Sequence, residues 1–414
     1  MVKVITYGTY DLLHFGHIRL LERAKALGDY LIVGVTSDDY DKSRGKINNQ
    51  QSLMERINAV KATGLADEVI IEEYEGQKID DIKRYGVDIF TLGSDWQGKF
   101  DYLNEYCKVV YLPRTEGISS SKIRTEKRQT KLGILSNSKT SDKFIAESQF
   151  VNGISVDYID AEVSSYDAVY VVTDYKNRYE DVKKALLAGK HVLCEAPYAL
   201  KEQECIDLIN LASKNKLILM ASIKTAYVTA FNRLILLAKS GKIGDILSVD
   251  ATCTSIRTGQ PSLFSWGPIA LMPVFKLLGT DYRKKQIVTC YQDEERVIDI
   301  FTKIDFIYDH AVASIKVAKG AKSEGELIIT GTKGYIFVPA PWWKTDYFEV
   351  RYEDPADNRR YFYQLDGEGI RYEIASFVSH MVNGYCSETV TDFESIQICK
   401  IMEDYINGED VLII

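Results

Sequence analysis

Several features that would place this chain in a specialised class are absent from its 414 residues. The longest apolar stretches, such as residues 31–35, are far shorter than the about 20 residues that a membrane-spanning helix needs. The net charge is −8, so the chain offers no broad basic face for nucleic acid. We therefore expect no membrane insertion and no nucleic-acid partner, although a local cationic pocket for a phosphate is compatible with this charge.

Cysteine pairs and a targeting segment are also missing. The seven cysteines are scattered and form no Cys-x-x-Cys pair, which argues against a zinc site and against a disulfide framework. Residues 2–7 already have the pattern of a strand, and no stretch with the character of a signal peptide comes before them. These observations lead us to expect a cytoplasmic protein.

The order of predicted elements indicates several domains, as expected above the about 250–300 residues at which one core stops growing. Residues 1–126 alternate short β-branched strands with amphipathic helices. This alternation predicts an α/β domain with a parallel sheet, helices on both faces and ligands at the carboxyl ends of the strands. A polar stretch at 125–131 predicts a boundary. A second α/β domain over 131–245 and a strand-rich α+β domain over 246–414 are expected to follow it.

Two of the five histidines, His14 and His17, lie three residues apart where the first strand gives way to a helix. At a helix start both imidazoles would face an anion such as a phosphate, and Gly8 and Gly16 would let the backbone approach it. Histidines at this spacing are equally compatible with metal ligands or with surface positions. The pair alone leaves these alternatives open.

A second polar cluster, residues 114–122, follows the last strand of the first domain. Arg114 can pair with a phosphate group bidentately, and Ser119, Ser120 and Ser121 can cap the next helix. A plain capped helix would contain the same residue types. The two clusters support each other because each lies between the end of a strand and the start of a helix.

The string Tyr7-Gly-Thr-Tyr-Asp-Leu-Leu-His-Phe-Gly-His17 resembles the HxGH signature of nucleotidyltransferases. Together with Arg114-Thr-Glu-Gly-Ile-Ser-Ser-Ser121, it is similar to bacterial glycerol-3-phosphate cytidylyltransferases over nearly all of residues 1–125. The resemblance implies a Rossmann-like domain that converts CTP and glycerol 3-phosphate into CDP-glycerol and pyrophosphate. The product would be a donor for teichoic-acid-like or capsular polymers. Mg²⁺ with the CTP and a homo-oligomer, a dimer or higher, are implied as well.

The same resemblance implies roles for individual residues. The catalytic set comprises His14, His17, Lys46 and Arg114, with the histidines on the triphosphate and Lys46 between the α-phosphate and the incoming phosphate. The CTP-binding set comprises Gly8, Thr9, Tyr10, Gly16, Asp95, Ser119, Ser120 and Ser121. The acceptor-binding set comprises Asp11, Lys42 and Arg56. Because residues 43–49 depart from the family pattern near the acceptor, another polyol phosphate or a phosphorylated amino alcohol is an open alternative to glycerol 3-phosphate.

Residues 131–414 resemble the Gfo/Idh/MocA family of NAD(P)-dependent oxidoreductases, on residues 188–197, 240–244, 331–334 and 369–373. The resemblance implies a second Rossmann-like domain followed by an open-sheet domain. The sequence departs from the family at the active site. Serines replace two glycines after Gly133, Ala196 replaces a lysine, and residues 265–271 lack the expected Asp and His. These departures argue against NAD(P) as a cofactor and predict a structural or oligomerising module.

The lead hypothesis is therefore a cytidylyltransferase with an inactive oxidoreductase-like half. One alternative is a bifunctional enzyme that makes the polyol by NAD(P)H-dependent reduction and then activates its phosphate. The other is a non-catalytic scaffold, against which the intact histidine and Arg-Ser motifs count. An aromatic cluster at Trp342, Trp343 and Tyr347 is expected to belong to the core rather than to a ligand site.

Overall fold

The computed structural model describes residues 1–43, 49, 51–74, 76–113, 130–136, 141–151, 153–159, 163–257, 259–292, 294–363, 365–383 and 390–414. The chain divides into two compact units, Met1–Gln129 and Thr130–Ile414. The finer division of the second unit at residue 245 stays a prediction.

The first unit is built on a five-stranded sheet in which every pairing is parallel. Its strands lie in the order β3-β2-β1-β4-β5. The chain therefore adds β2 and β3 on one side of β1 and β4 and β5 on the other, so the strand order reverses between β1 and β4. In such sheets, ligands bind beside the reversal at the carboxyl ends of the strands. The strands are β1 (Lys3–Gly8), β2 (Tyr30–Thr36), β3 (Glu68–Glu72), β4 (Ile89–Gly93) and β5 (Lys108–Leu112).

Helices cover both faces of this sheet, as the sequence pattern predicts. Neighbouring strand residues point to opposite faces, so Val4 and Ile5 belong to two different cores. Helices α1 and α3 contribute to the core around Val4, and α4 contributes to the core around Ile5. The helices of this unit are α1 (Phe15–Lys25), α2 (Asp38–Ser43), α3 (Leu53–Ala62) and α4 (Gln77–Tyr85).

The second unit begins with another parallel five-stranded sheet, in the order β7-β6-β8-β9-β10. Its strands are β6 (Thr130–Ser136), β7 (Ile154–Tyr158), β8 (Ala168–Val172), β9 (His191–Glu195) and β10 (Leu219–Ser222). Helices α5 (Asp142–Ser148), α6 (Arg178–Leu187) and α7 (Glu202–Lys214) connect them. The strand order reverses between β6 and β8, which are parallel neighbours. The corresponding ligand crevice therefore lies at the carboxyl ends of these two strands.

A nine-stranded sheet follows, with mainly antiparallel pairing and parallel contacts at β11–β14 and β12–β19. Helix α9 (Ser262–Leu278) packs on β11, β13 and β14 of this sheet. The fully buried Trp342 donates its Nε1–H to the Thr252 carbonyl at 3.0 Å. The strands are β11 (Ile246–Ser255), β12 (Lys284–Tyr291), β13 (Asp299–Ile307), β14 (Val312–Lys319), β15 (Leu327–Gly331), β16 (Tyr335–Val338), β17 (Tyr347–Arg351), β18 (Arg359–Phe362) and β19 (Val411–Ile413). The helices are α8 (Thr229–Lys239), α9 (Ser262–Leu278), α10 (Ile370–Asn383) and α11 (Asp392–Asn407).

The expected fold class is confirmed: two Rossmann-like parallel sheets precede an open mixed sheet. Among the helices in the described ranges, none is both long enough and apolar enough to cross a membrane.

Candidate active site

The two histidines of the first motif lie side by side at the start of α1. His14 is the N-cap residue, and its Nδ1 accepts a hydrogen bond from the Gly16 N–H at 3.0 Å. The backbone N–H of His14 donates in turn to Nδ1 of His17 at 3.5 Å, which completes a reciprocal capping box. The imidazole rings stack with their centroids 3.9 Å apart and 21° between their planes. The three-residue spacing therefore places both rings at the first turn of the helix.

These hydrogen bonds set the tautomer of both rings. A neutral imidazole carries one N–H, and Nδ1 of each ring here acts as an acceptor. The proton of each ring therefore lies on Nε2, the atom that can donate to an anionic oxygen. The first turn of α1 itself contains no acidic residue that would offset the partial positive charge of the helix start. The arrangement suits a phosphate group.

The turn between β1 and α1 contains strained backbone. Tyr10 and Leu12 have φ values of +53° and +49°, a region that costs a non-glycine residue about 1–3 kcal/mol. The buried Tyr10 ring lies edge-on to His17 with 5.5 Å between centroids. A Cβ at Gly8 would come within 3.1 Å of the same ring. Strain of this kind persists where packing over-determines the chain, and it concentrates at ligand sites.

Asp11 lies in this turn and is 5% exposed. Its Oδ1 accepts a hydrogen bond from the Gln51 N–H at 3.0 Å, and the Leu12 N–H donates to Gln51 Oε1 at 2.8 Å. The Asp11 Oδ2 atom is buried and has no hydrogen-bond partner among the described residues. Because an unpaired buried carboxylate oxygen is unfavourable, this atom is suited to accept a hydrogen bond from a ligand or to coordinate a cation.

Arg56 was expected to contact the acceptor, but the structure buries its side chain completely. Its Nη1 donates to the carbonyl oxygens of Thr9 at 2.7 Å and Thr36 at 2.8 Å. Its Nη2 pairs with Asp38, and the fully buried Asp41 lies 4.0 Å from Nη1. Since these protein groups surround the guanidinium, Arg56 fixes the turn that follows β1 and is not exposed to a ligand.

The carboxyl ends of β1 and β4 bring together two other residues of the predicted site. Thr9 follows β1, and its hydroxyl donates to Asp41 Oδ1 at 3.0 Å. Asp95 follows β4 in the 3₁₀ turn Ser94–Trp96 and is exposed. Because β1 and β4 are parallel neighbours, both residues lie at the same edge of the sheet.

A cleft of about 50 Å³ opens beside Gly8 at this edge, with Trp96 and Phe100 among its lining residues. Sequence reasoning missed the charged pair inside it. Lys78 forms a buried ion pair with Glu72, and its ammonium lies 4.7 Å from the centre of the Tyr7 ring. No local motif marks Lys78, although Glu72 ends a strand whose carboxyl end faces the expected ligand edge.

Two side-chain hydrogen bonds flank this ion pair. The Thr36 hydroxyl donates to Glu72 Oε2 at 2.8 Å, and the Tyr7 hydroxyl donates to Asp81 Oδ2 at 2.8 Å. Burial, together with the neighbouring Asp81 carboxylate, raises the pKa of Tyr7 far above its ordinary value. Tyr7 therefore stays neutral and acts as a hydrogen-bond donor at any physiological pH.

Part of the predicted site lies outside the described residues: Lys46, Arg114, Ser119, Ser120 and Ser121. Lys42 belongs to α2, of which the backbone is described and this side chain is not. The roles of these residues stay predictions. In the described part of the chain, no group of three or more His, Cys, Asp or Glu side chains could hold a metal ion.

The second unit contains a cavity of about 220 Å³ at the carboxyl ends of its parallel strands. Tyr170 of β8, Glu195 of β9 and Ser222 of β10 line it from the sheet, and Glu373 lines it from α10. The Tyr170 hydroxyl donates to Glu195 Oε1 at 2.8 Å and lies 3.2 Å from the Ser222 hydroxyl. Three neighbouring strands thus contribute a connected set of polar side chains, which we call the relay.

Glu373 lies beside the relay and is 1% exposed. Burial, and then the negative charge of Glu195, raises the pKa of Glu373 to about 8, against the opposing effects of the Ser222 hydroxyl and the Lys224 ammonium. The carboxyl group is therefore protonated at neutral pH. Sequence reasoning missed this role, because nothing in the local sequence reveals that the side chain is buried next to a second carboxylate.

The strand that would lead into a dinucleotide turn is β6, and the residues after it, 137–140, lie outside the described part. Gly133 lies within the strand, where a Cβ would come within 2.7 Å of Ile159 and 2.8 Å of Tyr166. Packing between neighbouring elements therefore accounts for this glycine without a bound pyrophosphate.

Comparison with known proteins separates the two units. Residues 5–126 match the model of the cytidylyltransferase-like family. Over 126 residues the chain is 51% identical to glycerol-3-phosphate cytidylyltransferase of Bacillus spizizenii, a match that covers 30% of this chain and 97% of that protein. The corresponding enzyme of Staphylococcus aureus is 48% identical, with 95% of its length covered. The chain belongs to the glycerol-3-phosphate cytidylyltransferase family. It is a nucleotidyltransferase, and its cytidylyltransferase-like part is the match over residues 5–126.

A second family model matches the middle of the chain and overlaps the end of the first match. Residues 120–223 match the model of an oxidoreductase family with an NAD-binding Rossmann fold. A solved 3-ketoreductase from Actinomadura kijaniata, in complex with TDP-benzene and NADP, is 16% identical with a TM-score of 0.59, over 69% of this chain and 99% of that chain. An oxidoreductase from Agrobacterium radiobacter, in complex with NAD⁺, L-tartaric acid and magnesium, is 14% identical with a TM-score of 0.58, over 68% and 96%. These likenesses confirm the oxidoreductase-like fold.

Proposed function

We propose that the cytidylyltransferase domain joins CTP to glycerol 3-phosphate and releases pyrophosphate. The observation that carries this proposal is the stacked pair His14 and His17, which presents two Nε2–H donors at a helix start. The 51% identity over nearly the whole length of a glycerol-3-phosphate cytidylyltransferase supports the choice of acceptor. CDP-glycerol would then serve as a donor for teichoic-acid-like or capsular polymers.

The reaction requires positioning and charge stabilisation and no covalent enzyme intermediate. A phosphate oxygen of the acceptor attacks the α-phosphorus of CTP in line, and the bond from this phosphorus to the α–β bridging oxygen breaks. His14 and His17 donate from Nε2 to the triphosphate, with His17 nearest the α-phosphate. We assign Lys46 to the α-phosphate and the incoming phosphate, and Arg114 to the β- and γ-phosphates. The pyrophosphate carries away the electron pair of the broken bond.

The remaining residues of the site position the two substrates. We assign Asp11 and Lys42 to binding of the acceptor and Asp95 to binding of the nucleotide. Arg56 acts through the Thr9 carbonyl that it holds, so we assign it a positioning role.

CTP is expected to bring Mg²⁺ with it. Asp11 and Asp95 are carboxylates at the ligand edge of the sheet, and Asp11 Oδ2 has no protein partner in the described residues. This donor set fits Mg²⁺, which is commonly held by one or two carboxylates together with substrate phosphates. When bound, the ion would neutralise charge on the phosphate oxygens.

The deciding experiment measures pyrophosphate release by the full chain from CTP with a panel of phosphorylated alcohols, with glycerol 3-phosphate first. His17→Ala should lower kcat by about 10²–10³-fold, the usual effect of removing one donor to a developing anion. His310→Ala is the matched control, because this histidine is exposed in the second unit. Turnover with another acceptor would reassign the substrate. No turnover with any acceptor would refute the proposal.

For the second unit, we propose that it does not catalyse hydride transfer. Ala196 follows Glu195 at the cavity where the resembling family has a lysine, and the cavity segment of α9 contributes Ser265 rather than a histidine. At these two positions the described lining therefore lacks the side chains that the resembling family uses for proton transfer. Titration with NADPH followed by fluorescence should show no saturable binding. Saturable micromolar binding would favour the bifunctional alternative instead.

A further inference from the structure

Gln51, which lies just before α3, is fixed in place by the start of that helix. Ser52 is the N-cap residue of α3 and forms a reciprocal capping box with Glu55. Arg56, one residue further along the helix, donates from Nε to the carbonyl oxygen of Gln51 at 3.3 Å. Because these contacts hold the chain at residues 51 and 52, the helix determines where the half-buried Gln51 lies.

Gln51 holds the turn between β1 and α1 at two points. Its Oε1 atom accepts a hydrogen bond from the Leu12 N–H at 2.8 Å, and its own N–H donates to Asp11 Oδ1 at 3.0 Å. Leu12 has a φ of +49°, in the left-handed region that a leucine rarely adopts. A conformation of this kind persists only where the surrounding contacts hold it, and Gln51 supplies two of those contacts.

The two contacts use only one oxygen of the Asp11 carboxylate. Oδ1 accepts from Gln51, whereas Oδ2 is buried and has no hydrogen-bond partner among the described residues. A turn built for stability alone would pair both oxygens, because an unpaired buried polar atom is unfavourable. The chain instead fixes the carboxylate by one oxygen and leaves the other oxygen available at the ligand edge of the sheet.

We propose that Gln51 is a positioning residue for the transfer reaction. By holding the Leu12 N–H and Asp11 Oδ1, it directs Asp11 Oδ2 toward the acceptor. This inference rests on the proposed function, in which Asp11 is assigned to binding of the acceptor. Gln51 does not touch the reacting groups and acts only through Asp11. The hydrogen-bonded path from Arg56 through Gln51 to Asp11 ties the acceptor side of the site to the start of α3.

Steady-state kinetics of the full chain with Gln51→Met tests the proposal. This change keeps the length of the side chain and removes the oxygen that accepts from the Leu12 N–H. Because one hydrogen bond corresponds to about a tenfold change, kcat/KM for glycerol 3-phosphate should fall about tenfold. The KM for CTP should change by less than about twofold. Gln203→Met is the matched control and should leave both constants unchanged, because Gln203 is exposed in the second unit and donates to Asp207 at 2.9 Å.

A double-mutant cycle separates positioning from a structural role and from direct contact with the acceptor. Asp11→Ala removes the carboxylate that Gln51 positions. In this background, adding Gln51→Met should lower kcat/KM for glycerol 3-phosphate by less than about twofold. A glutamine that contacted the acceptor itself, or that only kept the unit folded, would lower kcat/KM by the same factor in both backgrounds. Circular dichroism spectra verify that the variants are folded.

Hydrogen–deuterium exchange measures the grip of Gln51 on the turn without any reaction. In Gln51→Met the Leu12 N–H loses its acceptor, so the peptide that contains Leu12 should exchange faster than in the unmodified chain. Exchange in β1 should stay unchanged, because the strand keeps its pairing with β2 and β4. Mass spectrometry of the full chain provides both measurements.

Any of four results would overturn the proposal: unchanged exchange at Leu12, unchanged kcat/KM in Gln51→Met, equal losses in both backgrounds, or a loss confined to the KM for CTP. If the unmodified chain turned over no acceptor at all, the proposed function would be refuted instead. The exchange measurement would still decide in that case whether Gln51 holds the turn.

Discussion

The buried guanidinium of Arg56 yields a quantitative prediction. Replacing Arg56 with Met keeps much of the aliphatic volume and removes the donors to the Thr9 and Thr36 carbonyls. It also leaves the fully buried Asp41 carboxylate without the positive charge 4.0 Å away. Removing one partner of a buried charged pair costs about 3–5 kcal/mol. For a unit of 129 residues, this corresponds to a decrease in Tm of about 4 °C for each kcal/mol.

The same variant should affect catalysis more than binding. The Thr9 carbonyl lies in the turn that leads to Asp11 and His14, so a loosened turn misplaces groups around the transferred phosphate. A misplacement of about 1 Å can lower a rate about 10²-fold. We expect kcat to fall by about 10–100-fold while KM for CTP changes less. Arg56→Lys should be intermediate, because one ammonium cannot replace the planar set of donors.

Differential scanning calorimetry and steady-state kinetics measure the two effects. The control is Arg84→Met on the exposed face of α4, which should change the free energy of unfolding by less than about 0.5 kcal/mol. If Arg56→Met lost less than about 1 kcal/mol, the guanidinium would not hold the turn together, and the reasoning from its hydrogen bonds would be refuted.

Three further predictions follow from buried groups. Lys78→Met and Glu72→Gln should each destabilise the first unit by about 3–5 kcal/mol. In urea denaturation, the double variant should lose much less free energy of unfolding than the sum of the two single losses. Additive losses would contradict a coupled pair. Glu373 has its pKa raised from 4.5 to about 8, so the native state binds the extra proton and stability should decrease as pH rises from about 4.5 to 8. Glu373→Gln should remove that dependence, and an unchanged slope would exclude Glu373 as its source. Gly133→Ala should destabilise the second unit by about 1–3 kcal/mol in thermal unfolding, because the alanine Cβ would contact Ile159 and Tyr166. An unchanged stability would show that β6 can shift to make room for it.

Much of the fold of the first unit follows from local sequence pattern. Residues 3–7 and 30–35 are β-branched and apolar, a pattern that predicts two strands, and the structure places β1 and β2 there. The apolar spacing of residues 18–27 predicts a helix that starts at Ile18, but the helix begins at Phe15. The difference arises because His14 and His17 form the capping box themselves, which apolar periodicity does not reveal.

The site could be predicted where its residues are close in sequence. It could not be predicted where folding brings together residues that are far apart in sequence. His14 and His17 share one helical turn, so their spacing already implies that they meet. Arg56 is polar and was expected at the ligand, yet it is buried, because it binds the carbonyl of Thr9, just after β1, and that of Thr36, at the end of β2. Glu373 comes next to Glu195 only when α10 packs over the parallel sheet. The two residues are far apart in sequence, so no local pattern predicts their contact.

The capping box at His14 and His17 gives the same two imidazole rings two tasks: they begin the helix, and they are proposed to bind the triphosphate. Each ring uses Nδ1 to start the helix and thereby fixes the proton on Nε2, so the donors are correctly protonated only once the helix has formed. Loss of a cap alone costs about 0.5–2 kcal/mol. An asparagine at position 14 would keep the cap and remove the imidazole, whereas an alanine would remove both. Any sequence change at these two positions is therefore constrained twice, once by the helix that must begin there and once by the anion that it faces.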